Sequence, residues 1–114
     1  MEIQKINLEQ HSLTVDEALA TVETEIQALK INPNIKMLKI IHGYGSKGVG
    51  GKIKEALPQV LNKLKTQKKI EWWVNNSNFG VLSNKYKEYS KKYPEIILDN
   101  DLKNFNPGIT IVFL

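Results

Sequence analysis

Residues 35–41 form a nearly continuous apolar run, Ile-Lys-Met-Leu-Lys-Ile-Ile, and it passes without a break into the glycine-rich residues 42–51. Five of the chain's seven glycines fall in that second stretch, so it is a local device rather than a compositional habit. An apolar run of this length reads as a strand buried on both faces, of the kind that parallel neighbours cover. Glycine-rich backbone directly after such a strand can turn tightly and approach a ligand closely. Beyond it, Ile53, Leu57, Val60, Leu61 and Leu64 repeat every three or four residues, which predicts an amphipathic helix. Strand, glycine turn and helix together restrict the chain to an α/β arrangement.

The flanking segments extend the pattern. Residues 3–8 alternate partly and predict a first strand. Thr14 followed by Glu17 has the spacing of a capping box, in which each side chain satisfies a free backbone N–H of the same turn. Val15, Leu19, Val22, Ile26 and Leu29 then place one apolar stripe on a helix that runs to about Lys30 and stops before Asn32-Pro33. Residues 70–74 and 109–114 predict the third and fourth strands. Pro58 lies within the second helix and is expected to kink or split it. In residues 75–107, Leu82, Tyr86, Tyr89 and Tyr93 have helical spacing ahead of Pro94, with the tyrosines read as packing groups rather than base-stacking ones. Asn75 to Asn78 reads as a loop, and Asn106-Pro107-Gly108 as a turn. The expectation is one domain over residues 1–114, an α/β sandwich of two layers. Its four-stranded sheet is mostly parallel, in the order β-α-β-α-β-α-β, and ligand residues gather at the strands' carboxyl ends.

Charge narrows the function. Formal net charge is +4, but its distribution is uneven. Residues 45–92 hold eleven lysines against three acids, while both flanks are slightly acidic. A basic block attracts polyanions, and DNA or RNA is the commonest in a cell; solvated surface lysine is the plain alternative. There is no arginine, so the planar fork that reads guanine edges is missing, and contact through phosphate is favoured over base reading. With no cysteine, a disulfide framework and a thiolate metal site are both excluded. No run of about 18 apolar residues suggests a membrane span, and no basic-then-apolar segment at the start suggests a secretory signal. A cytoplasmic location is the expectation.

The candidate site combines two segments. His42, Gly43, Tyr44, Gly45, Ser46, Lys47, Gly48, Gly50, Gly51 and Lys52 lead into a helix whose free N–H groups favour an anion. Gly43, Gly45 and Gly48 match a dinucleotide-loop spacing, but no acid ends the third strand, so that reading is weak. The nucleoside triphosphate loop fails outright, since Lys52 is followed by Ile53. His42 and His11 are the chain's two histidines, both placed at predicted strand ends, where acid–base chemistry near neutral pH is available to them. Glu9, two residues before His11, points the same way on an extended strand and can orient it. Two unrelated surface histidines are the alternative. No metal site or cofactor is expected, because the histidines lack the tight spacing of a helical ligand pair.

These residues resemble a known family. Residues 8–18, Leu-Glu-Gln-His-Ser-Leu-Thr-Val-Asp-Glu-Ala, resemble the Leu-Asp-Leu-His-Gly-Leu-x-x-x-Glu-Ala opening of the Smr (small MutS-related) domain. Ile41-His42-Gly43-Tyr44-Gly45 resembles its Ile-His-Gly-x-Gly signature, and residues 108–114 resemble its closing Gly-x-Thr-x-Val-x-Leu strand. Residues 75–106 look like an insertion. The resemblance implies a sandwich similar to the C-terminal domain of a bacterial translation initiation factor, and a protein that binds DNA or RNA and nicks DNA or cleaves RNA. It also implies Glu9, His11, His42, Gly43 and Gly45 as working residues, and a ribosome or MutS-like protein as partner. A non-catalytic interaction module and a small phosphate or nucleotide binder are the alternatives. Glu9, Gln10 and Ser12 depart from the family's Asp, Leu and Gly; these changes bear on cleavage more than on binding.

Overall fold

The computed structural model describes residues 1–9, 13–43 and 50–114; of Gly50 it describes the backbone alone. Its elements in chain order are β1 (Glu2–Asn7), α1 (Val15–Leu29), β2 (Ile35–Ile41), α2 (Gly50–Thr66), β3 (Trp72–Asn75), α3 (Asn84–Lys92), α4 (Glu95–Leu98) and β4 (Ile109–Phe113), with short 3-10 turns at Asn76–Asn78 and Asp101–Lys103. The Thr14 capping box is complete. Thr14 Oγ1 accepts from the Glu17 backbone N–H at 3.1 Å, and the Glu17 carboxylate accepts from the Thr14 N–H at 3.0 Å. Pro58 does not split α2, which runs through it unbroken. What Pro58 removes is one N–H, the donor that the Lys54 carbonyl would otherwise receive. α3 begins after Ser83, whose side chain caps it, so Leu82 is exposed ahead of the helix rather than packed on it.

The sheet order is β1-β2-β4-β3. β1 pairs with β2 in parallel, but β4 runs antiparallel to both β2 and β3. Two of the three pairings are therefore antiparallel, and the sheet is mixed rather than mostly parallel. The physical reason is the burial of β4, all five residues of which are buried. A strand that is apolar on both faces belongs in the middle of a sheet, and β4 enters between β2 and β3 against their direction. β1, β2 and β3 still point the same way, as their sequence order led one to expect. Their carboxyl ends share one end of the sheet with the start of β4.

The sheet is covered on both faces, which corrects the two-layer expectation. Alternate side chains separate the two cores. Leu38, Ile40 and Val112 pack with Val22, Ile26, Leu57 and Leu61 beneath α1 and α2. Met37, Ile109, Ile111 and Phe113 face the opposite way and pack with Phe79, Tyr86, Tyr89, Ile96 and Leu102. Tyr86 and Tyr89 are buried packing groups, as their spacing predicted. Tyr89 stacks on Phe113 with ring centroids 4.1 Å apart. On this face Lys39, buried within β2, is met by Asp99 and Asp101, each with an oxygen 2.8 Å from its Nζ. Burial opposes its charge, but the hydrogen bonds it donates to Asp101 and Asp99 and their negative charges outweigh it, and the Lys39 pKa is raised.

Candidate functional site

Glu9, His42 and Gly43 meet at the carboxyl end of the sheet. Asn7 pairs with Ile41, so continuing that register sets Glu9 beside Gly43. The Leu8 N–H donates to the Ile41 carbonyl at 2.8 Å, and the Glu9 N–H to the Asn7 side chain at 3.0 Å, which turns the chain there. Gly43 has φ of +76°, a left-handed conformation that side-chain-bearing residues resist, and a Cβ at this position would run into the Glu9 carboxylate. Glycine is thus favoured at position 43 by its backbone, while the exposed Glu9 side chain is free to swing away from an added Cβ. The His42 and Gly43 N–H groups both donate to the Gly108 carbonyl at 3.0 Å, tying the turn to the start of β4.

His42 is 1% exposed and carries hydrogen bonds at both ring nitrogens. Nδ1 lies 2.9 Å from the Gly43 carbonyl oxygen, which can only accept, so Nδ1 carries the proton. Nε2 lies 2.8 Å from Thr110 Oγ1. Burial drives the His42 pKa down; the Gly43 carbonyl and Glu9 pull it up, and Lys54 pushes it further down. The net shift is downward, so the ring is neutral near pH 7 and Nε2 accepts from the Thr110 hydroxyl. In this state His42 fastens the glycine turn to β4.

Thr110 is the residue that sequence reasoning passed over. It lies opposite Ile40 on one side and Asn75 on the other, on the α2 face. Its signal was present: it is the lone polar residue in the apolar run 109–114. A cleft of about 260 Å³ opens beside it, lined by Lys54 and Pro58 of α2, Trp73 and Asn75 of β3, and Asn78. Lys54 was not singled out in the sequence either. Lys52 and Lys54 lie in the first turns of α2, and among the described residues neither has an acidic partner within ion-pair distance. Lys63 and Lys65 sit in the last turn of this 17-residue helix, about 20 Å from its start at about 1.5 Å per residue. They do not serve the same place.

Of the predicted site residues, then, Glu9, His42 and Gly43 come together, and Gly50, Gly51 and Lys52 form the start of α2. His11, Tyr44, Gly45, Ser46, Lys47 and Gly48 lie outside the described residues. Among the described residues no three His, Cys, Asp or Glu side chains cluster as metal ligands, and no helix is long and apolar enough to cross a membrane.

Comparison with known proteins adds two findings. A family model described as the Smr domain matches residues 8–114. Among solved structures, the Smr domain of Thermus thermophilus MutS2 is similar at a TM-score of 0.58, covering 97% of this chain and 96% of that one. The two are 19% identical, so this likeness speaks for the fold. No curated protein matches.

Proposed function

Because the chain belongs to the Smr domain family, we propose that it binds DNA or RNA through the sugar–phosphate backbone, at the end of the sheet where Glu9, His42, Gly43 and the start of α2 meet. One observation carries this reading. Lys52 and Lys54, without acidic partners among the described residues, stand in the first turns of a helix that follows the His42–Gly43 turn. A helix start offers free N–H groups and a positive dipole end, and two lysines add full charges in the same place. Lysine contacts phosphate without reading sequence, which makes the proposed binding insensitive to base order. In the proposal Lys47 and the glycines from Gly45 to Gly51 extend this cradle on their sequence position alone.

The finer proposal is strand cleavage. Glu9 is exposed beside the turn, and with His11 it is assigned to the phosphodiester. His42, enclosed by Gly43 and Thr110, is assigned as a positioning residue. Residues 75–106 are proposed to be an insertion whose work is to close the second face of the sheet. The alternative, a non-catalytic module acting with a ribosome or MutS-like partner, is favoured by the burial of His42, which keeps its ring from direct contact with a strand.

Affinity measured against salt tests the binding reading. The logarithm of the association constant should fall linearly with the logarithm of salt, and Lys52→Gln with Lys54→Gln should lower that slope by about two. A slope unchanged by both substitutions would remove the proposed site. Incubation with plasmid and structured RNA decides the finer point. Cleavage lost in Glu9→Gln supports scission, and binding without cleavage by the unaltered protein supports the interaction module.

A further inference from the structure

We propose that the cleft between α2 and β3 receives one unpaired nucleobase of the bound strand, with the Trp73 indole as its stacking surface. This rests on the backbone-binding site proposed above and names the form of nucleic acid that site takes. The cleft measures about 260 Å³, below the roughly 300–1,000 Å³ of sites that enclose drug-sized ligands. It fits one flat ring system rather than a whole dinucleotide. Its walls suit such a ring. Trp73 is half-buried, and its Nε1–H donates to the Asn62 side chain of α2 at 2.8 Å, which fixes the indole in place. Pro58 and Lys54 line the α2 side, one apolar and the other cationic.

The polar groups are arranged for a base and its phosphate. Asn75 is already engaged, accepting from the Ser77 N–H at 2.9 Å and donating to the Pro107 carbonyl at 3.1 Å, so it shapes the rim. Asn78 is exposed beside it and offers both an amide donor and an acceptor, the pair that a base edge presents in return. Lys54 supplies the charge for the adjoining phosphate. Thr110 lines the cleft and is hydrogen-bonded to His42, so the opening adjoins the end of the sheet that carries the proposed backbone site. β3 is an edge strand, and the cleft lies along its margin. A base inside a continuous duplex stays stacked on its neighbours and cannot enter; an unpaired one can. The adjacent Trp72 is excluded from this role, since it points to the other face and stacks on Tyr89 with centroids 5.8 Å apart.

The test measures affinity by fluorescence anisotropy for three labelled probes: a short single strand, a perfect duplex, and the same duplex with one bulged nucleotide. Trp73→Leu should weaken the single strand and the bulged duplex about tenfold. The perfect duplex should stay within about twofold, and Trp73→Phe should recover most of the loss. Equal weakening of all three probes, or none, overturns the proposal. Failure of the unaltered protein to bind any probe overturns the backbone site itself, a different result. Because Trp73→Leu also removes packing, a Trp72→Phe protein supplies a second readout with Trp73 as its single indole. Bound single strand should quench its emission and bound duplex should not; equal emission in both complexes contradicts a base in the cleft.

Discussion

Lys39 and Lys54 lie on opposite sides of the sheet and meet opposite fates. Lys39 is enclosed in the aromatic core and neutralised from within by Asp99 and Asp101. Lys54 stands over the other face, half-exposed, with no acidic partner among the described residues. On α3, Lys85 lies 5.2 Å from the Trp72 ring and 3.5 Å from Glu88, and Lys92 lies 5.2 Å from the Tyr93 ring, so these charges are engaged by their own element and its neighbours. The lesson is that a basic stretch of sequence is not one basic surface. Residues 45–92 divide among the start of α2 at the site, the far end of α2 with the turn after it, and α3, which closes the other side of the sheet.

The largest expected effect falls on the Lys39 side. Asp99→Ala removes one of the two carboxylates paired with buried Lys39, together with the acceptor for the Asp101 and Leu102 N–H groups. Asp101 still neutralises Lys39, so chemical denaturation should show a loss of about 2–3 kcal/mol, from the charged hydrogen bond and the backbone acceptor, with nucleic-acid affinity of the folded protein unchanged. A fall in affinity beyond what unfolding explains would break the division between the faces. A smaller effect is expected at the turn. Gly43→Ala should cost about 1–2 kcal/mol, for its left-handed backbone, with the exposed Glu9 side chain displaced at little cost. In a Glu9→Ala background the cost should stay nearly the same; a clear fall would mean that Glu9 is held against the turn. The smallest effect is the pH response of His42. Its folded pKa lies below the ordinary value of 6.5, so the unfolded chain binds the proton first. The stability it contributes is present above that value and is lost as pH falls from it through the lowered folded pKa. Melting temperature should therefore drop over that interval, and His42→Asn should flatten the drop.

The local devices were legible in the sequence. The capping box, the buried strand Ile35–Ile41, the turn at Gly43 and the meeting of Glu9 with it all follow from spacings of a few residues or from the strand-end rule. What could not be read locally was long-range pairing. The place of β4 between β2 and β3 depends on contacts across most of the chain, although its apolar run, interrupted only by Thr110, was a sign of a central strand. Lys39 and Thr110 were visible as polar residues inside apolar runs, which demands partners. Those partners lie far off, Asp99 60 residues from Lys39 and His42 68 residues from Thr110, and no local pattern points to them. The cleft shares this origin, since α2, β3 and β4 build it jointly.

Backbone amide and side-chain NMR shifts, followed while a short single-stranded oligonucleotide is added, test the central claim most directly. The nucleic-acid site is predicted to announce itself at Gly43, Gly51, Lys52, Lys54, Trp73, Asn78 and Thr110, with α3 silent. Shifts centred on Lys85, Lys87, Lys91 and Lys92 would place the strand on the opposite face and contradict it.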